Sequence, residues 1–126
     1  MKRRGGGIYY PPAVLPEALR GYPAPPGQCF AVAVALSREV GLGLRLGFAL
    51  PEGESRPRVH CFGLDSQGSV IDAAWQRRRA VGYLGFEPSE AELAVLVEAN
   101  APEIEALLTV PKPIAAGVKT YGAESC

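Results

Sequence analysis

Between Gln28 and Leu36 the chain reads Gln-Cys-Phe-Ala-Val-Ala-Val-Ala-Leu, directly behind a Pro25-Pro26-Gly27 breaker. The pattern predicts a helix over residues 28–40 that is apolar on every side until Ser37. A helix with no polar face belongs in the middle of a domain, so other elements must surround it. The chain has 126 residues, which fits a single domain over 1–126 large enough to bury such a core without disulfides or metals.

The surrounding elements can be placed from periodicity and turn chemistry. Leu42, Leu44, Leu46, Phe48 and Leu50 alternate with Gly43, Arg45, Gly47 and Ala49, the signature of a strand with one buried face. Residues 58–64 and 69–73 flank Asp65-Ser66-Gln67-Gly68-Ser69, where a three-residue loop with Gly68 in the left-handed conformation makes a hairpin. Val81 to Phe86 reads as a short strand. Ser89 and Glu92 form a capping box for a helix over about 90–99. Asn100 and Glu103 repeat that signal for a helix carrying Ile104, Leu107 and Leu108, which Pro111 and Pro113 stop. Residues 1–26 read as an irregular Gly/Pro-rich arm with one helical turn at Pro16 to Arg20, and 111–126 as a C-terminal tail. A buried helix packed on an antiparallel sheet is an α+β layout.

Three residues of this layout have nucleophilic chemistry in common. Cys29 starts the apolar helix, where the positive end of the backbone dipole and unpaired N–H groups favour the thiolate. His60 is the only histidine, so any imidazole base must be this one. In the three-residue-loop register Phe62 opposes Asp72, His60 shares the face of Phe62, and Asp72 lies diagonally across from His60. A two-residue loop would pair Cys61 with Asp72 and turn His60 to the opposite face. The same register predicts that His60 and Asp72 lie on the sheet face packing against the N-terminal end of the helix. Phe30, Val34, Leu44, Leu46, Phe48 and Leu64 are then expected to be buried around them.

Other readings stand beside this one. Taken singly, a buried cysteine is usually a small hydrophobe and a lone histidine a satisfied core or surface residue. Zinc would need Cys29, His60, Cys61 and Asp72, but adjacent strand residues point to opposite faces, and no Cys-x-x-Cys or His-x-x-x-His pair is present. No metal or other cofactor is expected. Arg77-Arg78-Arg79 follows Asp72 closely and fits either a solvated turn or a site for an anionic substrate. Gly41-x-Gly43 lacks a third glycine and follows a helix, so it makes no phosphate loop. Trp75, Tyr83 and Phe86 read as core or groove walls rather than a base-stacking platform.

Thirteen basic and thirteen acidic residues cancel, which leaves no global field to draw the chain to nucleic acid or an anionic membrane. Met1-Lys2-Arg3-Arg4 imitates the start of a signal peptide, but Gly5-Gly6-Gly7 follows where an apolar stretch is required. The longest apolar run, Cys29 to Leu36, is far shorter than a membrane span. The expectation is a cytoplasmic protein, with no membrane or nucleic-acid partner, whose three cysteines are free thiols. These features do not specify an oligomeric state.

Gly27-Gln28-Cys29-Phe30 before an apolar helix, then a strand, then His60 in a strand and Val70-Ile71-Asp72-Ala73 in the next, resembles the core of the transglutaminase-like superfamily, a branch of the papain-like fold. The match covers roughly residues 27–76. The resemblance implies Cys29 as nucleophile, His60 as general base and Asp72 as its orienter, with acyl transfer from a peptide or small amide through a thioester. It also implies an oxyanion hole made by the Cys29 backbone N–H and one further donor, for which Gln28 and Tyr22 are the candidates. Where the family often has Trp after its histidine, this chain has Cys61, and the aromatic residue follows as Phe62. Phe62, Trp75 and Arg77 form the expected substrate-binding set. Because the same fold also hosts inactive relatives, a non-catalytic module that binds a peptide or protein in the same cleft is the alternative.

Overall fold

The computed structural model describes residues 7–110. The expected tail over 111–126, with its two prolines and Cys126, lies outside these residues, as does the start of the arm. The described chain is α+β. Strand β1 (Ile8–Tyr10) and a single 3₁₀ turn (Glu17–Leu19) precede helix α1 (Cys29–Val40). Strands β2 (Gly43–Pro51), β3 (Arg58–Leu64), β4 (Val70–Ile71) and β5 (Ala80–Phe86) follow, then helices α2 (Glu90–Ala99) and α3 (Ala101–Thr109). The strands form one antiparallel sheet in the order β1-β5-β2-β3-β4.

Helix α1 explains its own sequence. Around it lie Leu42, Leu44, Leu46, Cys61 and Ile71 of the sheet region, Ile104 and Leu107 of α3, and Leu19 and Tyr22 of the arm. Every side of the helix therefore meets apolar atoms, which is why it has no polar stripe. Val32, Leu36 and Val40 are each 1% exposed, and full burial of such a side chain stabilises by about 1.5–3 kcal/mol. The helix ends where Gly41 adopts the left-handed conformation, with its N–H donating to the Ser37 carbonyl.

The hairpin has the odd loop that the sequence demands. Leu64 pairs with Val70 and Gly63 with Ile71, which sets Asp72 level with Phe62. The Asp65 N–H donates to the Ser69 carbonyl, the Asp65 carboxylate accepts from the N–H groups of Gln67 and Ser69, and Gly68 has φ of 80°. β4 is shorter than expected: only Val70 and Ile71 are paired, and Asp72 stands just past the strand end.

Three expectations are corrected. The arm is not wholly irregular, because Ile8–Tyr10 forms an edge strand on β5; three residues ahead of Pro11-Pro12 are too few to show a period. Asn100 stands at the N-cap of α3 but its side chain makes no capping bond; its amide donates instead to the Leu96 carbonyl at the end of α2. Phe48 is 39% exposed rather than buried, since it lies toward the far end of β2 opposite the exposed Val59, while Leu44 and Leu46 are half-buried. Phe30, Val34 and Leu64 are buried as expected, and both bonds of the Ser89/Glu92 capping box are formed.

Candidate active site

Alternation along β3 sends Cys61 toward α1 and its core, while His60, Phe62 and Leu64 point to the other face. A second, smaller core of Ala49, Phe62, Leu64, Val70 and Tyr83 covers that face. His60 and Asp72 are therefore not on the helix-bearing face, contrary to the sequence expectation. They reach Cys29 at the edge of the sheet instead. Because β4 pairs only with Gly63 and Leu64, the outer edge of β3 is free of strand pairing on the N-terminal side of those residues. The first residue of α1 meets that edge, where the Cys61 thiol, the Cys61 backbone N–H and the His60 ring are the groups that act on the Cys29 sulfur.

The His60 ring is 1% exposed, and its Nε2 donates to Asp72 at 3.0 Å from Oδ1 and 2.9 Å from Oδ2. That leaves Nδ1 as the nitrogen for Cys29. Asp72 is held in turn by the Tyr83 hydroxyl, 2.8 Å from Oδ2, and the Ala74 N–H, 3.2 Å from Oδ1. Trp75 stacks on the imidazole at 4.2 Å between ring centroids, and the Tyr83 ring lies at 6.3 Å. The order is thiol, imidazole, carboxylate, phenol, each held by its neighbour.

This geometry sets the charges. Cys29 is lowered to about 4 because the Cys61 thiol donates to it; burial opposes the shift, and the His60 imidazolium and the Cys61 backbone N–H reinforce it. Burial alone would depress His60, but its hydrogen bond to Asp72, followed by its contacts with Cys29, raises it to about 9. Cys61 moves far upward, chiefly because it is the donor to Cys29 and also because it is buried, so it remains a thiol. Burial, together with the charge and hydrogen bond of Asp72, likewise raises Tyr83. Both shifts favour a thiolate–imidazolium pair at the site.

A cavity of about 930 Å³ opens at Cys29, lined by the Ala24 to Gly27 segment, Trp75, Gln76, Arg58, Arg77 and Arg78. Trp75, Gln76 and Arg78 also line a neighbouring cavity of about 540 Å³ that contains Asp72 and Tyr83. Of the expected site residues, Cys29, His60 and Asp72 come together, and Trp75 and Arg77 join them at the cavity. Gln28 occupies the N-cap of α1, and its side chain makes no capping bond. Tyr22 also lines the Cys29 cavity, but neither it nor Phe62 takes the expected role. The Tyr22 hydroxyl donates to Glu39 Oε1 at 2.7 Å, near the opposite end of α1, so the hydroxyl is engaged there rather than at the thiol. Phe62 is 1% exposed and packs against Tyr83 at 4.8 Å and Tyr10 at 5.8 Å, which makes it core rather than a substrate wall.

The sequence reading missed several members. In sequence Cys61 is only a departure from a family pattern, and Tyr83 only a candidate wall. Gln76 gave no signal in its own segment: its amide nitrogen donates to the carbonyls of Tyr22 and Ala73, and its oxygen accepts from the Gly21 N–H. The Tyr83 contribution was visible only through register, since Tyr83 pairs with Ala49 two positions from the Gly47–His60 pair.

Among the described residues no group of three or more His, Cys, Asp or Glu could hold a metal ion, and no helix is long and apolar enough to cross a membrane. No family model, curated protein or solved structure matches the chain.

Proposed function

We propose that the chain is a transglutaminase-like cysteine hydrolase or acyltransferase of papain-like fold that cleaves an amide through Cys29, His60 and Asp72. The observation that carries this reading is the His60 ring, which joins a helix-start thiol on one side to a doubly supported carboxylate on the other. The Cys29 thiolate attacks the amide carbon, and the carbonyl electrons move onto oxygen. The tetrahedral intermediate collapses to a thioester as the His60 imidazolium gives its proton to the departing amine. Neutral His60 then takes a proton from water or an acceptor amine, which attacks the thioester and releases Cys29. Asp72 holds the ring orientation through both half-reactions.

The first N–H groups of an α-helix have no intrahelical carbonyl, and Cys29 is the first residue of α1. In this reading the Cys29 N–H is one oxyanion donor and the Gln28 amide the second. A reducing, cytoplasmic setting keeps Cys29 and Cys61 as thiols.

Mixing the protein with p-nitrophenyl acetate tests the reading without a known substrate. Acyl-enzyme chemistry predicts a burst of about one p-nitrophenol per chain, an acetyl mass on Cys29, and neither in Cys29→Ala. An undiminished burst in Cys29→Ala, or no acylation of the native chain, contradicts it.

A further inference from the structure

We infer that the acyl substrate carries an anionic group, carboxylate or phosphate, which Arg77 and Arg78 hold beside Cys29; this deepens the reading of Cys29 as nucleophile and rests on it. The charged side chains lining the Cys29 cavity are Arg58, Arg77 and Arg78, and no carboxylate lines it among the described residues. Arg58 is offset by Glu54, 3.2 Å from its Nε. Asp72 lines the neighbouring cavity and is already occupied by His60, Tyr83 and Ala74. The surplus therefore falls on Arg77 and Arg78.

Both guanidiniums are placed by the fold. Gln76, immediately before them, is fixed by bonds to Tyr22, Ala73 and Gly21, which anchors the backbone from which they project. The Arg78 guanidinium lies over the Trp75 ring at 5.0 Å, and the other neighbour of that ring is His60. Among the described residues nothing pairs with the Arg77 guanidinium. A planar guanidinium fork suits a carboxylate or phosphate, and two of them at the mouth of a cavity attract an anion before it reaches the thiol.

The test compares three alkylating reagents on the full chain at pH 6, the N-iodoacetyl derivatives of glutamine, glutamate and phosphoserine, each with its α-carboxyl blocked as the amide so that the glutamine reagent is neutral. At least one anionic reagent is expected to alkylate Cys29 on the order of tenfold faster than the glutamine reagent. Whichever anion is fastest identifies carboxylate or phosphate. The advantage should fall toward one in the double variant Arg77→Gln/Arg78→Gln, survive in Arg77→Lys/Arg78→Lys, and shrink in the native chain as salt is raised. Both arginines are exposed, so the fold is not at stake. Equal rates for all three reagents, or an anion preference that persists in the Gln double variant or at high salt, would overturn the inference. Failure of every reagent to select Cys29 would instead overturn the nucleophile reading.

Discussion

Cys61 shows how one side chain sets the chemistry of another. It follows His60 in sequence yet points to the opposite face of β3, and both its thiol and its backbone N–H act on Cys29. A hydrogen bond to a charged group contributes about 1.5–3 kcal/mol, which is about one to two pH units of thiolate stabilisation. Cys61→Ala removes the thiol donor and keeps the backbone one. Its expected effect is an upward shift of that size in the midpoint of Cys29 alkylation, followed by mass spectrometry across pH. An unmoved midpoint would show that the Cys61 thiol is only packing.

At the scale of elements, the β3–β4 hairpin decides whether the site exists. Its odd loop depends on Gly68 at φ of 80°, and a Cβ there would meet nothing within 4 Å. Gly68→Ala therefore adds backbone strain without a clash, and a loss of about 1–2 kcal/mol is expected from the urea midpoint. The low-pH reactivity of Cys29 should persist because the register is kept; an unchanged midpoint would contradict the turn assignment. This hairpin was legible because turn chemistry and side-chain alternation are local. So were α1, β2, β5 and α2, whose periods and, for α2, capping box lie within their own segments; α3 was legible from its apolar spacing though not from its cap. Strand β1 was not, because three residues gain their identity from a partner far along the chain. The meeting of two sheet faces at an edge was not legible either. It follows from β4 stopping at Ile71, and nothing in Asp72-Ala73-Ala74 announces that stop. Phe62 was misjudged because an aromatic beside a site and an aromatic in a second core look the same in one dimension.

Across the whole molecule, the arm before Cys29 and the loop after Asp72 are joined by Gln76, whose partners Gly21 and Tyr22 lie more than fifty positions away in sequence. Gln76→Ala removes three hydrogen bonds at an exposed residue, a loss of about 1–3 kcal/mol. Hydrogen exchange should show the Gly21 amide losing protection while the amides of α2 and α3 keep theirs; uniform loss would mean that the clamp is not local. The other long-range tie is the site itself, where the start of α1 is held against the edge of β3. With Cys29 lowered to about 4 and His60 raised to about 9, the reactive ion pair fills the window between those values. The thiolate forms as pH rises through the lower one, and the imidazolium is lost as pH rises through the upper one. The most direct test is the rate of iodoacetamide alkylation at each cysteine from pH 3 to 10, in the native chain and in His60→Ala. The account predicts selective labelling of Cys29 already at pH 6, with its midpoint in His60→Ala moving up toward the roughly 8.5 of a free thiol. Equal labelling of Cys29, Cys61 and Cys126, or a Cys29 that reacts only after unfolding, would contradict it.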